Sequence, residues 1–519
     1  MVMKTISKIK IRNFKRFKSL DVSFNKDINI LIGDNESGKS TILQAIDFVA
    51  SGSRYKVEQE GLERLFNIDC ISEFRANRSY ENLPILRIEL YLDDIGDHNV
   101  CGKNNLEKDS LEGIKLVCKP DDNYREDIQS IISDPESIFP FEFYTIEFST
   151  FANTPYNGHK KYISGLFIDQ SIMGAEYAMR EYVRDIYRAN LTPTERAKNN
   201  LGYRKLKADF QRQTLATYND KFSDATLSVK DTIKSSLETD ISLSEGGIDI
   251  ENKGRGHQCF VKAKLALSRQ ESNIDFVLME EPENHLSHIN MGKLIQLVSN
   301  TTGRQLFIST HSDMICSRLN LKKVIMLNSN DQSIATLSSL NDETARFFMK
   351  APNYNLLQFV LSKKVILVEG NVEYMLVERF FEKHLQASIV QQNVHIISVG
   401  GLSFKRYLEV AQSLNIKTAV ITDNDNNYNA KVDRKYNSFV CDSIKVFSDT
   451  DDERYTFEVC FYKDNTEICD TLFKDKKGGA TTLDYMLNNK TSCAFDIMEC
   501  DKDYTIPQYI KSAIEWVNE

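Results

Sequence analysis

A run of glycine, lysine and hydroxyl residues near the amino terminus has the composition and spacing of a phosphate-binding loop. It reads Gly33-Asp34-Asn35-Glu36-Ser37-Gly38-Lys39-Ser40-Thr41. In such a loop the glycines let backbone N–H groups point at phosphate oxygens, the lysine reaches the β- and γ-phosphates, and the first hydroxyl ligates Mg²⁺. We predict that ATP and Mg²⁺ bind here, through Gly33, Asn35, Gly38, Lys39, Ser40 and Thr41.

Apolar residues on both sides of this loop predict a strand before it and a helix after it. Ile28, Ile30 and Ile32 alternate with other residues ahead of the loop. Behind the loop, apolar residues recur at helical spacing from Ile42 to Val49. A strand, a glycine-rich loop and a helix in that order are the context in which this motif binds phosphate.

Two further polar clusters follow apolar strands much later in the chain. Glu280 and Glu281 end the apolar segment 274–279, and His311 follows the segment 306–310. Because the carboxyl ends of parallel strands share one crevice, we expect both clusters beside the phosphates. Glu280 would hold Mg²⁺ directly or through water, Glu281 would orient or deprotonate the attacking water, and His311 would sense the γ-phosphate.

The second half of the chain carries a different set of carboxylates. Glu369 ends an apolar strand, Glu373 lies one turn into the helix that follows, and Asp423 and Asp425 end a third apolar strand. A β-α-β-α-β order brings such strand ends together, and converging carboxylates hold divalent cations beside a phosphodiester. We predict a metal site of these four residues.

The Asp423-Asn424-Asp425 segment has two other interpretations, an EF-hand loop and a surface turn. An EF-hand loop needs glycine where Tyr428 stands and glutamate where Arg434 stands, so that interpretation fails. A surface turn after an ordinary strand remains an open alternative.

These motifs resemble those of known families. The phosphate-binding loop, the opening strand 6–17 and the Glu280-Glu281 strand are similar to the ABC-type ATPases of the SMC and RecF kind. Residues 252–258 stand where that group has its signature motif, but they depart from its Ser-Gly-Gly pattern. In that group the motif faces the γ-phosphate of a second subunit, so the departure leaves ATP-driven dimer closure open.

The Glu369 and Asp423 segments, with the Gly400-Gly401 turn between them, resemble a Toprim domain, the metal-binding fold of topoisomerases, primases and several nucleases. An ATPase of this kind followed by a Toprim domain resembles the OLD-family nucleases, including the Gabija-type and retron-associated anti-phage effectors. The resemblance implies two more site residues: Glu458 as a further metal-binding acid, and Lys490, which would stabilise charge on the scissile phosphate. A solvated surface position is the alternative for each.

The resemblance also implies an activity and partners. It implies a DNA endonuclease that responds to ATP, uses Mg²⁺ or alternatively Mn²⁺, forms a homodimer or a larger homo-oligomer, and acts in bacterial defence with a helicase or with a reverse transcriptase and its multicopy DNA. Two alternatives stay open. One is a topoisomerase-like or primase-like Toprim enzyme, although no separate DNA-binding domain with a tyrosine nucleophile is indicated. The other is an ATP-driven DNA clamp or repair sensor whose Toprim domain does not cut.

Composition agrees with a soluble, cytoplasmic, multidomain protein. The chain has 519 residues and a net charge of −9, with no apolar run long enough to cross a membrane and no signal peptide. Its ten cysteines include no C-x-x-C pair, which argues against disulfides and zinc. Net acidity predicts a local basic channel for DNA rather than a generally basic surface. The candidates for that channel are Lys160, Lys161, Lys405, Arg406, Lys474, Lys476 and Lys477.

The predicted fold is α/β: an ABC-type ATPase sheet domain with an inserted helical dimerisation arm, followed by a Rossmann-like Toprim domain. The expected bounds are 1–170 and 244–340 for the two parts of the ATPase, 171–243 for the arm, 341–361 for a linker, and 362–519 for the Toprim domain with C-terminal helices. Residues 60–150 contain short segments in which apolar and polar residues alternate, which predicts sheet. Aromatic and arginine residues between 177 and 188 predict a dimer interface or a surface that grips a DNA strand.

Overall fold

The computed structural model describes residues 3–519 except 170–182, 185, 189, 220, 223–224, 231–236, 268–273, 285, 329–332, 351–354 and 401–403. The chain divides into two compact units. The first is Met1–His311 with Ile325–Ile334, and the second is Ser312–Val324 with Ala335–Glu519. Within the described residues, no helix is both long and apolar enough to span a bilayer.

An antiparallel sheet opens the first unit. Its strands in spatial order are Phe17–Ser23, Thr5–Phe14, Leu86–Asp93, Leu111–Pro120 and Cys101–Gly102, with Tyr144–Thr150 paired to Leu111–Pro120. Ile9 and Ile11 are fully buried because residues two apart on a strand share a face. Residues 60–150 thus contain the sheet that alternation predicts. They also contain the helices Leu62–Leu65, Ile68–Ala76 and Arg125–Ser133, which alternation does not indicate.

A second sheet carries the phosphate-binding loop. Its strands in spatial order are Ile334–Thr336, Val324–Leu327, Ile28–Ile32, Gln305–Ser309, Phe276–Glu280 and Gly165–Asp169, and the last four run parallel. The loop, Glu280 and His311 therefore follow the same edge of the sheet, as predicted. The helix Lys39–Ser51 lies directly after the loop and buries its apolar face, including Ile42 and Ile46.

Further helices in the described part of the first unit include Arg54–Glu60, Pro193–Phe210, Ala216–Asn219, Leu237–Asp240, Arg255–Leu267 and His288–Ser299. A short hairpin pairs Ser244–Glu245 with Ile248–Asp249. The described part of the predicted arm contains helices but also the non-helical segments 225–230 and 241–243. Thr192 and Glu195 form a capping box at the helix Pro193–Phe210. Tyr177, Arg180 and Tyr182, predicted to contribute to an interface, lie outside the described residues. Dimerisation through the arm stays a prediction.

The second unit is built on a four-stranded parallel sheet. Its strands in spatial order are Val394–Ser398, Lys364–Val368, Lys417–Ile421 and Ile444–Phe447. The helices Asn371–Leu385 and Phe404–Leu414 connect the first three strands along the chain. The predicted β-α-β-α-β order is confirmed.

Further helices pack around this sheet: Asp313–Arg318, Asp342–Lys350, Leu356–Leu361, Arg434–Tyr436, Phe457–Asp464, Thr466–Leu472, Thr482–Asn488, Lys490–Met498 and Gln508–Asn518. The segment 341–361, expected as a linker, contains two of them. They form because Phe348 and Phe359 are buried inside the second unit. The expected domain bounds stay predictions.

Candidate ATP and metal sites

Backbone geometry prepares the phosphate-binding loop for its ligand. Gly33 and Gly38 have φ angles of 156° and 100°, and a Cβ at Gly38 would lie 2.2 Å from Phe17 Cζ. Lys39 Nζ donates to Gly33 O at 2.9 Å and to Asp34 O at 3.0 Å. Burial lowers the pKa of Lys39, and a phosphate would give its ammonium group a charged partner.

The other predicted loop residues lie where a nucleotide can reach them. Asn35 and Ser40 are exposed, and Thr41 is half-buried. Ser40 and Thr41 belong to the first turn of the helix Lys39–Ser51. Backbone N–H groups of that turn have no partner within the helix, which favours an anion at this end.

Glu281 and His311 meet at the edge of the sheet. His311 Nε2 lies 3.6 Å from Glu281 Oε1, and Asn284 Nδ2 donates to Glu281 Oε2 at 2.7 Å. Burial and then the ammonium group of Lys39 lower the pKa of His311. The negative charges of Glu281 and Glu280 raise the pKa of Lys39, against the lowering by burial. The structure thus brings together Lys39, Glu280, Glu281 and His311, as predicted from the sequence.

Sequence reasoning assigned no role to Glu283. Its Oε1 accepts hydrogen bonds from Thr310 Oγ1 at 2.7 Å and from the His311 backbone N–H at 2.6 Å. Its Oε2 is buried with no hydrogen-bond partner, and burial raises the pKa of the group. Glu283 therefore holds the backbone that presents His311. No sequence signal separates it from an ordinary turn acid, because its partners lie 27 and 28 residues away.

The signature-like segment is anchored by one carboxylate. Glu245 Oε2 lies 2.6 Å from both Lys253 Nζ and His257 Nε2, and hydrogen bonds from these two groups lower the pKa of Glu245 to about 2. The helix Arg255–Leu267 begins within this segment. Lys253 and His257 therefore share an acidic partner within the first unit.

The second unit gathers four of the predicted acids around one lysine. Glu369, Glu373, Asp423 and Glu458 form this four-carboxylate cluster, and Lys490 lies beside it. Burial, followed by the charges of Glu369, Glu373 and Glu458, raises the pKa of Asp423 to about 8. Burial also raises the pKa of Glu373. The cluster thus carries more negative charge than Lys490 alone neutralises.

Two of the carboxylates accept hydrogen bonds from donors near the ends of the strands Lys364–Val368 and Lys417–Ile421. Thr422 Oγ1 donates to Glu369 Oε1. The Gly370 backbone N–H donates to Glu373 Oε2 at 3.1 Å, at the start of the helix Asn371–Leu385. Nothing in the sequence indicates a role for Thr422, because its partner is 53 residues away.

The other two carboxylates are oriented by later helices. The Phe457 backbone N–H donates to Asp423 Oδ1 at 3.1 Å. Lys490 Nζ donates to Glu458 Oε2 at 2.9 Å, whereas Glu458 Oε1 is buried with no hydrogen-bond partner. One oxygen of each cluster carboxylate is therefore bound by the protein.

The chemistry of this cluster fits a divalent cation. Among the described residues, no three Asp, Glu, His or Cys side chains are grouped closely enough to hold a metal ion as they stand. Carboxylate oxygens are nevertheless the ligands that Mg²⁺ prefers, and burying the unpartnered Glu458 Oε1 is costly unless a cation approaches it. Glu369, Glu373, Asp423 and Glu458 are the residues that would hold such an ion.

Asp425 is not brought into this cluster. Its side chain is 61% exposed, and its Oδ2 lies 3.7 Å from Lys431 Nζ. Asn424, between the two aspartates, turns inward and donates to the carbonyl groups of Asp449 and Asp451, both at 2.9 Å. The backbone at Asp425 has a positive φ of 49°, which separates its side chain from that of Asp423. A metal-binding role for Asp425 stays a prediction.

Several residues proposed for a basic DNA channel have partners in their own unit. Arg406 donates to Thr344 Oγ1 at 2.8 Å and to Glu343 Oε2 at 3.1 Å. Lys476 Nζ lies 2.6 Å from Asp496 Oδ1. Arg406 and Lys476 therefore each have a polar or acidic partner within the second unit. The channel stays a prediction for all of its candidates.

Two known families match parts of the chain that carry some of these residues. Residues 3–169 match the AAA ATPase domain family, and residues 360–425 match the TOPRIM domain of the overcoming lysogenization defect (OLD) protein-like family. The first match contains the phosphate-binding loop. The second contains Glu369, Glu373 and Asp423.

Individual relatives are more distant. Endonuclease GajA of Bacillus cereus (strain VD045) is 28% identical over 164 residues, which is 31% of this chain and 28% of the relative. The DNA replication and repair protein RecF of Clostridium kluyveri is 26% identical over 157 residues, which is 30% of this chain and 42% of that protein. The C-terminal region of the Burkholderia pseudomallei OLD protein has 17% identity and a TM-score of 0.25, covering 30% of this chain and 96% of that one.

The matched part of this chain spans less than half the length of each of these two curated relatives. The domain order agrees with the resemblance to OLD-family nucleases, which is confirmed. This chain joins an AAA-type ATPase domain to an OLD-like Toprim domain.

Proposed function

We propose that this chain is an ATP-responsive, metal-dependent endonuclease that cuts DNA at the four-carboxylate cluster. The observation that carries the proposal is the arrangement of Glu369, Glu373, Asp423 and Glu458 beside Lys490, with one oxygen of each carboxylate oriented by the protein. The name of the relative GajA, an endonuclease, supports the choice of reaction.

Each residue of the cluster has a part in this reaction. A bound divalent cation, Mg²⁺ or alternatively Mn²⁺, supplies a nucleophile and charge stabilisation for a phosphodiester. Glu458 orients Lys490, whose side chain is 44% exposed and so can meet a phosphate oxygen. The ammonium group of Lys490 then stabilises the negative charge that develops during cleavage.

The ATP site controls this cleavage in our proposal. Lys39 and the loop backbone bind the phosphates, Ser40 and Glu280 hold Mg²⁺, Glu281 positions or deprotonates the attacking water, and His311 senses the γ-phosphate. The 3.6 Å approach of His311 to Glu281 supports a shared task for these two side chains.

The cellular role rests on the OLD-family resemblance. We propose a cytoplasmic anti-phage effector that works as a homodimer or larger homo-oligomer, alone or with a helicase or a reverse transcriptase and its multicopy DNA. Infection of cells that express the wild type or the Asp423→Ala variant measures this directly. Protection by the wild type alone supports the role, whereas equal plaque counts in both strains contradict it.

The nuclease is tested with supercoiled and linear DNA, in Mg²⁺ or Mn²⁺, with and without ATP. Asp423→Ala should abolish cleavage, because the cluster loses the carboxylate that faces the other three acids. Lys490→Ala should slow cleavage by ~10²–10³-fold. The matched controls Asp442→Ala and Lys502→Ala change exposed residues of the same unit and should cut as the wild type does. Equal cleavage by all five proteins removes the cluster from the reaction.

A second candidate is an ATP-driven DNA clamp, favoured by the match to RecF over 157 residues. A clamp would bind DNA in an ATP-dependent way and leave every substrate intact. The same five proteins, tested by DNA binding with and without ATP, separate the two functions. ATP-dependent DNA binding without cleavage by the wild type in either metal favours the clamp.

A further inference from the structure

The contact between Thr422 and Glu369 is set by strand register. In the parallel pair Lys364–Val368 and Lys417–Ile421, Val368 lies beside Ile421. Glu369 comes directly after Val368 and Thr422 directly after Ile421, so these two residues are also neighbours. Thr422 is 5% exposed, and its Oγ1 donates to Glu369 Oε1. A longer approach to Asp423 O measures 3.4 Å. The Glu369 carboxylate is therefore held by a buried hydroxyl on a rigid strand end.

This contact makes the two oxygens of Glu369 unequal. Oε1 accepts a hydrogen bond from Thr422, which occupies one of its lone pairs and fixes the carboxylate, so Oε2 is the more open atom for a cation. The same division holds at Glu458, where Lys490 takes Oε2 and Oε1 has no hydrogen-bond partner. A carboxylate whose one oxygen is engaged in a hydrogen bond favours binding a cation through its other oxygen.

Single-oxygen ligation distinguishes one class of divalent cation from another. Mg²⁺ requires a near-octahedral arrangement of oxygens at about 2.0–2.1 Å, and Mn²⁺ accepts similar oxygen sites. Ca²⁺ takes more ligands at longer distances and readily uses both oxygens of one carboxylate. A fixed Glu369 rotamer therefore favours the smaller ions.

We propose that Thr422 is a positioning residue that restricts Glu369 to single-oxygen ligation and thereby selects Mg²⁺ or Mn²⁺ over Ca²⁺. This inference rests on the metal binding included in the proposed function. Thr422 acts through Glu369 and does not itself touch a substrate. The partners of metal-binding groups typically change metal affinity by about 10–100-fold when they are removed.

The same strand offers a matched control. Thr418 lies four residues earlier on Lys417–Ile421, is fully buried, and donates from Oγ1 to Ile416 O at 3.0 Å. Thr418→Val thus removes a buried threonine hydroxyl without touching the cluster. Thr422→Val removes the hydroxyl that binds Glu369 and keeps the shape of the side chain. Thr422→Ser restores a hydroxyl.

Calorimetric titration of the full chain with MgCl₂, MnCl₂ and CaCl₂ tests the inference. We expect Thr422→Val to lower the affinity for Mg²⁺ and Mn²⁺ by about 10–100-fold and to leave that for Ca²⁺ unchanged or higher. Thr422→Ser should stay within a few-fold of the wild type, and Thr418→Val should match it. Thr422→Ala, which removes the methyl group as well as the hydroxyl, should repeat the result of Thr422→Val.

Each other outcome has a definite meaning. A Mg²⁺/Ca²⁺ affinity ratio in Thr422→Val equal to that in Thr418→Val overturns the role of Thr422, and so does an equal loss for all three cations. In both cases metal binding by the wild type leaves the proposed nuclease intact. A wild type that binds none of the three cations overturns the inference and the metal dependence of the proposed function together.

Discussion

Glu283 and Glu458 share one feature, although they lie in different units. Each is largely buried, each has one oxygen bound by the protein, and the other oxygen of each has no hydrogen-bond partner. An unpartnered buried carboxylate oxygen costs free energy. One of these atoms lies beside the predicted ATP site and the other in the four-carboxylate cluster.

Replacing Glu283 by alanine should slow ATP hydrolysis by about 10–100-fold, because the backbone N–H of His311 loses its acceptor and small displacements of a catalytic group are costly. ATP affinity should change little, since Lys39 and the loop backbone remain. Steady-state hydrolysis and equilibrium binding of a fluorescent ATP analogue measure the two quantities. Glu63→Ala, at an exposed position of the same unit, is the control. Hydrolysis by Glu283→Ala at the control rate would refute the anchoring role.

Among the elements, the unit of strand, loop and helix around Gly38 is the most constrained. Gly38 combines a φ of 100° with a position where a Cβ would lie 2.2 Å from Phe17 Cζ. Phe17 is 1% exposed and has no room to move away. The loop therefore depends on both the backbone freedom and the small size of glycine.

The change Gly38→Ala should lower the free energy of unfolding by about 2 kcal/mol or more, through backbone strain and overpacking. It should also abolish ATP binding, because the loop backbone must shift. Gly202→Ala in the helix Pro193–Phe210 is the opposite case, since nothing lies within 4 Å of its Cβ, and it should raise stability by about 0.5–1 kcal/mol. Urea denaturation and ATP titration check both variants. If the two variants behave alike, the glycine argument is wrong.

At the scale of the whole molecule, each site belongs to a unit with its own hydrophobic core. Ile42, Ile46 and Phe307 lie in the core of the first unit. Val368, Ile421 and Ile514 lie in that of the second. Separate cores allow one site to be disabled while the other stays folded.

Hydrogen exchange tests this independence. ATP with Mg²⁺ should protect residues 33–41 in the wild type and in Asp423→Ala but not in Lys39→Ala. Mn²⁺ alone should protect residues 369–373 and 422–424 in the wild type and in Lys39→Ala but not in Asp423→Ala. The reason is that each substitution removes a ligand-binding group from one core only. Loss of both protections in either variant would show that the two units do not fold independently.

The sequence by itself determines both sites to the level of their local motifs. The residues from Gly33 to Thr41 are contiguous, so covalent geometry keeps them close together however the rest of the chain packs. The same holds for Glu369 and Glu373, which a strand and the first helical turn place together. Apolar runs and helical spacing also predict the order of strands and helices in the second unit, because both patterns follow from the burial of apolar side chains.

Tertiary structure alone decides which side chains meet across long stretches of chain. Thr422 reaches Glu369 through strand register, Lys490 reaches Glu458 from a helix 32 residues away, and Glu283 holds His311. Asp425, two residues from Asp423, turns away because its backbone adopts a positive φ. Such contacts depend on packing between distant elements, which leaves no periodic signal in the sequence.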